Sequence, residues 1–150
     1  MVLVKMHLYL RYLQNISNGI DMLKSLAAFL CQVRLKAIIE ATEQDKLRTA
    51  AEEFAASVPK DYIMFHYRKL DVEACLLHLS FLARYAGMFK YEVQIEQERR
   101  FTVTIHHKFG EKWSYWLEKS ISIGLFKNVL GILPKTHLSK NSVIFTFFLP

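Results

Sequence analysis

No stretch of this sequence reaches the about eighteen uninterrupted apolar residues that a membrane-spanning helix needs. The longest candidate, residues 19–39, is broken by Asp21, Lys24, Arg34 and Lys36. The amino terminus also lacks the basic start, short apolar block and small-residue cleavage site of a secretory signal. A cytoplasmic location and no membrane partner are therefore expected. Cysteine is scarce: Cys31 and Cys75 stand alone, without CxxC spacing, and read as reduced, packed thiols. There is no HExxH and no His, Cys, Asp or Glu cluster at metal-ligand spacing, so no metal and no cofactor is implied. Gly-rich nucleotide loops, paired carboxylates and legible Ser-His-Asp or Cys-His arrangements are missing too, and nothing positively indicates an enzyme.

What the chain does have is apolar mass. Of 150 residues, 52% are hydrophobic and 13% aromatic, with a net charge of +6. That is enough for a core and argues against disorder. The surplus points to oligomerisation, a sheet buried on both faces or a ligand cavity. The basic excess lies in residues 1–40 and 101–150 and falls short of a polybasic arm.

Apolar periodicity divides the chain. Residues 2–13 alternate with period two, a short strand signal, although Leu and Met there also suit a helix. "NISNG" at 15–19 is a turn cluster, and helical spacing follows from Ile20 to Val33. A second helical stretch covers 43–57, with Thr42 and Asp45 resembling a capping box and Leu47, Ala50, Ala51, Phe54 and Val58 as its inner face. Pro59 is expected to stop it. Beyond it, "DYIMFHY" (61–67) alternates and reads as a strand. Asp71 is a good N-cap for a helix carrying Val72, Cys75, Leu79, Leu82 and Tyr85, closed by Gly87. Strands are expected over 89–96, 100–107 and 142–149, and a helix over 111–130.

In order, 61–149 spells β-α-β-β-α-β. The expected fold class is therefore α+β: a ferredoxin-like unit over 61–150, with an antiparallel sheet in order 4-1-3-2 and two helices on one face. A mainly helical region, 1–60, precedes it and serves packing or dimerisation. Were 61–67 helical, the unit would shrink to α-β-β-α-β with three strands.

Candidate sites concentrate in "HHKFGEKWSYW", 106–116. His106 and His107 are strand neighbours whose side chains diverge, so they cannot chelate one metal. Trp113 and Trp116 share a helix flank, which faces the sheet in this scheme. A small ligand held between helix 111–130 and the sheet would meet Trp113, Trp116, His107 and Tyr91. Lys108, Lys112 and Lys119, with Tyr115, form a basic face that could follow a nucleic-acid backbone. Glu111 and Glu118 dilute it, and the Gly-aromatic signature of RNA-binding sheets is missing. Arg68 and Lys69 precede a helix start where phosphate is welcome, but that loop has no glycine to wrap an anion.

The expected β-α-β-β-α-β order is similar to that of ligand-sensing and dimerisation domains on many regulators, a likeness of fold alone. The expected function is a non-catalytic, cytoplasmic regulatory or sensory module acting as a homodimer. The alternatives are a nucleic-acid-binding accessory protein and a small enzyme acting on a phosphorylated compound.

Overall fold

The computed structural model describes residue 21, residues 32–96 and residues 99–149. The alternating stretch 2–13 and Cys31 lie outside the described residues, as does most of the first helical stretch. Its described part is α1, 32–41. Then come α2 (Gln44–Tyr67), α3 (Val72–Phe81) with a π-helical extension over Leu82–Ala86, β1 (Lys90–Glu96) and β2 (Arg100–His106). Helix α4 (Glu111–Ile121) runs into a π-helical stretch, Ser122–Lys127, and a last turn, Asn128–Leu130. β3 (Lys135–Leu138) and β4 (Ser142–Phe148) close the chain. Among the described residues, no helix is long and apolar enough to cross a membrane.

The result is an α+β fold with a four-stranded antiparallel sheet in the order β1-β2-β4-β3. The strand expected at 61–67 is helix, and the ferredoxin-like order is not the one observed. Pro59 does not stop α2, which continues to Tyr67, so the domain boundary expected at 60–61 falls inside one helix. The buried row of α2 is Leu47, Ala51, Ala55, Pro59 and Ile63, one residue in every four. Ala50 and Val58, expected inward, are exposed.

A helical proline removes the N–H that would reach the carbonyl four residues earlier. Here that carbonyl is Ala55 O, and Asn128 Nδ2 donates to it at 2.8 Å. The acceptor freed by Pro59 is thus satisfied from α4. At Gly124, in the π-helical stretch that continues α4, a Cβ would stand 2.7 Å from Pro59 Cγ and 3.3 Å from Ala55 Cα, so only glycine permits this approach. Helix α2 ends at Arg68, which takes a left-handed φ of 56°. No glycine announces that turn.

Other local signals act as the sequence suggests. Asp71 Oδ1 accepts from Ala74 N at 2.8 Å, and Gly87 has φ 61°. The Thr42–Asp45 capping box does not form. The N-cap of α2 is Glu43, and Thr42 Oγ1 donates instead to Ile38 O at 2.6 Å. β2 and β4 bury Phe101, Val103, Ile105, Val143, Phe145 and Phe147 on one face. Ile95, expected inward on β1, is 66% exposed near the end of that edge strand. β3 escaped the periodicity because "KTHL" has no apolar alternation.

Candidate ligand cavity

Helix α4 is packed on two sides, and its two sides differ chemically. The row Ser114, Glu118, Ser122 and Phe126 serves the β3–β4 hairpin. Phe126 packs on Phe145 and Phe147, with ring centroids 5.5 and 4.7 Å away. Thr136 Oγ1 and Ser122 Oγ both donate to Glu118 Oε1 at 3.3 Å. Ser114 Oγ donates to Ser139 O at 2.6 Å and meets His107 Nε2 at 2.8 Å.

The other row holds Trp113, Trp116, Leu117, Ser120, Ile121 and Leu125. It looks toward α1–α3 and lines a cavity of about 350 Å³. The indoles of Trp113 and Trp116 stack at 4.9 Å, and Trp116 lies 5.2 Å from Phe54 of α2. The opposite walls are Leu35 and Ile39 of α1, Phe54 and Pro59 of α2, and His78 of α3, with Leu82, Met88 and Phe89 beyond. The indoles therefore line a space among helices rather than one between helix and sheet. The reason is that α4 needs two inner faces, and the hairpin takes the one rich in hydroxyl groups.

Among the described residues, three polar atoms belonging to residues of this wall are buried without a hydrogen-bond partner: His78 Nδ1, Trp113 Nε1 and Ser120 Oγ. Their residues are only 6%, 2% and 3% exposed. Unmade hydrogen bonds at such depth are costly, about 1–3 kcal/mol each. His78 is on α3 because its position joins Cys75, Leu79 and Leu82 on the inward face. Its ring lies 4.8 Å from that of Tyr62. Burial first, and nearby His66 second, push its pKa down to about 4, so at neutral pH it is an uncharged imidazole.

His107 is the contrasting case. Burial, then His106, also lowers its pKa to about 4. Its Nδ1 accepts from Phe109 N at 3.2 Å, so Nε2 carries the proton and donates to Ser114. The ring is fully partnered. It borders a more open groove of about 590 Å³ with Lys36, Lys90, His106 and Lys108, and among the described residues there no side-chain polar atom is both buried and unpaired. Tyr91 lines neither space; its hydroxyl donates to Leu76 O at 3.4 Å and ties β1 to α3.

The expected basic face is dispersed. Lys112 Nζ donates to Glu40 O and Thr42 O at 2.8 and 2.5 Å, closing the end of α1. Lys119 pairs with Glu118 at 3.1 Å and sits 5.7 Å from the Tyr115 ring, while Lys108 borders the groove. In the 68–71 loop, Lys69 pairs with Asp71 at 3.5 Å and with Glu73. Cys75 is fully buried, and burial, with Asp71 adding to it, pushes its thiol up to about 12. That makes it a packing group rather than a nucleophile.

Sequence reasoning found the tryptophan pair but missed His78 and Ser120. The available signal was their position: each is a polar residue on an apolar helical stripe. No protein-family model, curated protein or solved structure matches this chain.

Proposed function

We propose that this chain is a non-catalytic binding module for a small, mainly apolar molecule housed among α1–α4. The observation that carries this reading is the cavity itself, with apolar walls from all four helices and the stacked indoles of Trp113 and Trp116 among its lining residues. Ligand sites commonly have this make-up: apolar walls with a few placed polar groups, in a volume of roughly 300–1,000 Å³. A non-catalytic role fits because, among the described residues of this wall, Ser120 and His78 are the pair that resembles a nucleophile and base, and Ser120 Oγ makes no hydrogen bond. A ligand here touches four helices and stabilises the folded state by mass action, the basis for a sensory role.

The test is titration with medium-chain alcohols, followed by Trp113 and Trp116 fluorescence and by thermal midpoint. Saturable spectral change with a rising midpoint is expected. Ser120→Leu, which fills the cavity with an apolar group, should abolish both responses without unfolding the protein. If no alcohol produces either response, the proposal fails.

A further inference from the structure

Strand β1 ends the sheet on one side, paired to β2 and to no other strand among the described residues. The outer edge of such a strand is a row of backbone N–H and C=O groups that another strand can satisfy. Most of the usual protections are missing here. β1 runs straight for seven residues, Lys90–Glu96, pairs one-to-one with β2 without a bulge, and holds no proline. Five of its seven side chains are exposed. They include Ile95, 66% exposed although it stands opposite buried Phe101. The other edge strand, β3, has only four residues.

We infer that β1 pairs antiparallel with β1 of a second copy of this chain, about a two-fold axis at Val93. Charge decides both the occupant and the register. The free groups of an edge fall on alternate residues, so a self-paired strand must place some residue opposite its own copy. With Val93 at that point, Lys90 stands opposite Glu96 of the second copy, twice by symmetry, and Glu92 stands opposite Gln94. On the other face Tyr91 meets the exposed Ile95. Opposite charges and an aromatic–branched pair are both favourable across a ladder. Centring on Glu92 instead sets two copies of that carboxylate against each other, and centring on Gln94 sets Glu92 against Glu96 twice. Like charges directly opposite are destabilising, and centres further out pair fewer than half of β1. In-register parallel pairing would set every charge against its own sign. Glu96 also meets Arg100 of β2 at 3.2 Å, and a carboxylate can accept from both cations. Charges on β1 thus repel a neighbouring strand in other registers and cancel in this one. A two-fold contact closes on itself, so assembly stops at two copies and joins their sheets into one.

Sedimentation equilibrium of the full chain, from about 1 μM to about 1 mM, tests this over the affinity range of small interfaces. A reversible monomer–dimer equilibrium is expected. Lys90→Glu and Glu96→Lys change exposed side chains, and circular dichroism checks that each variant keeps the fold. Each should weaken self-association by about tenfold or more, because each sets like charges opposite one another twice per dimer. An equimolar mixture of the two variants should dimerise again, since every facing pair then has opposite signs. That rescue cannot come from a change in folding, because neither variant recovers alone. A wild-type chain that stays monomeric throughout overturns the proposal, as does a dimer indifferent to both substitutions. A mixture that fails to associate when wild type does overturns the Val93-centred register.

Discussion

Ser114 and Ser120 occupy the same helix and are buried almost equally, 1% and 3% exposed. Ser114 links His107 to the carbonyl of Ser139, whereas the Ser120 hydroxyl has no partner among the described residues. The histidines repeat the contrast: His107 is partnered at both ring nitrogens and His78 has an idle Nδ1. Burial is therefore alike for polar groups that the fold pairs and for those it leaves unpaired. The hairpin side of α4 is paired within the fold, while on the helical side Trp113 Nε1 and Ser120 Oγ are buried without a partner among the described residues.

Substitutions on the two sides should differ accordingly. The largest effect belongs to Phe126→Ala on the complete side, which removes a fully buried ring from Phe145 and Phe147. It is expected to cost about 3–5 kcal/mol in denaturant unfolding. An equally small loss there and at Leu117 would erase the distinction between the sides.

Acid tests the two histidines together. Both have folded pKa values near 4, below the unfolded value of about 6.5. The folded state thus binds fewer protons than the unfolded state between these limits. Stability is full above about pH 6.5 and declines as pH falls toward 4, by up to about 3 kcal/mol per histidine. Protonating His107 also turns Nδ1 into a donor facing the Phe109 N–H. Unfolding near pH 5 should take up about two protons by calorimetry in different buffers, and His78→Phe should remove one of them. Uptake unchanged by that substitution would contradict a buried neutral His78.

Ser114→Ala should cost about 1–3 kcal/mol, because it strands both His107 Nε2 and the Ser139 carbonyl. Asn128→Ala should cost about 1 kcal/mol. That penalty should shrink in a Pro59→Ala background, where the helix supplies its own N–H to Ala55, and a double-mutant cycle reads the coupling directly. Smallest of all, Ser120→Ala should shift stability by less than about 0.5 kcal/mol or raise it. A loss matching Ser114→Ala would show that Ser120 has a structural partner.

Much of the sheet half was legible locally. Alternation marked β1, β2 and β4, and Asp71 and Gly87 bracketed α3 with its π-helical extension. The errors arose where one segment's conformation is decided by another. Pro59 looks like a stop signal until Asn128, far along the chain, accepts the duty of satisfying Ala55. The stretch 61–67 alternates like a strand, yet Ile63 extends the every-fourth-residue row that begins at Leu47. Arg68 turns the chain without the glycine that would have flagged the end. In the cavity, the tryptophan pair showed in its spacing. The idle state of His78 and Ser120 could not, since having no partner is a property of the assembled fold.

The hydrogen bond from Asn128 to the Ala55 carbonyl has a mechanical corollary. Together with the tight Gly124 contact, it fixes α2 against α4 at one register, so neither helix can slide a turn without stranding a carbonyl. Helix α1 is held differently, by polar contacts from its described residues: Gln32 on the Gly87 carbonyl, and Lys112 on those of Glu40 and Thr42. Such bonds are readily traded for water, so the two walls of the cavity differ in what holds them in place.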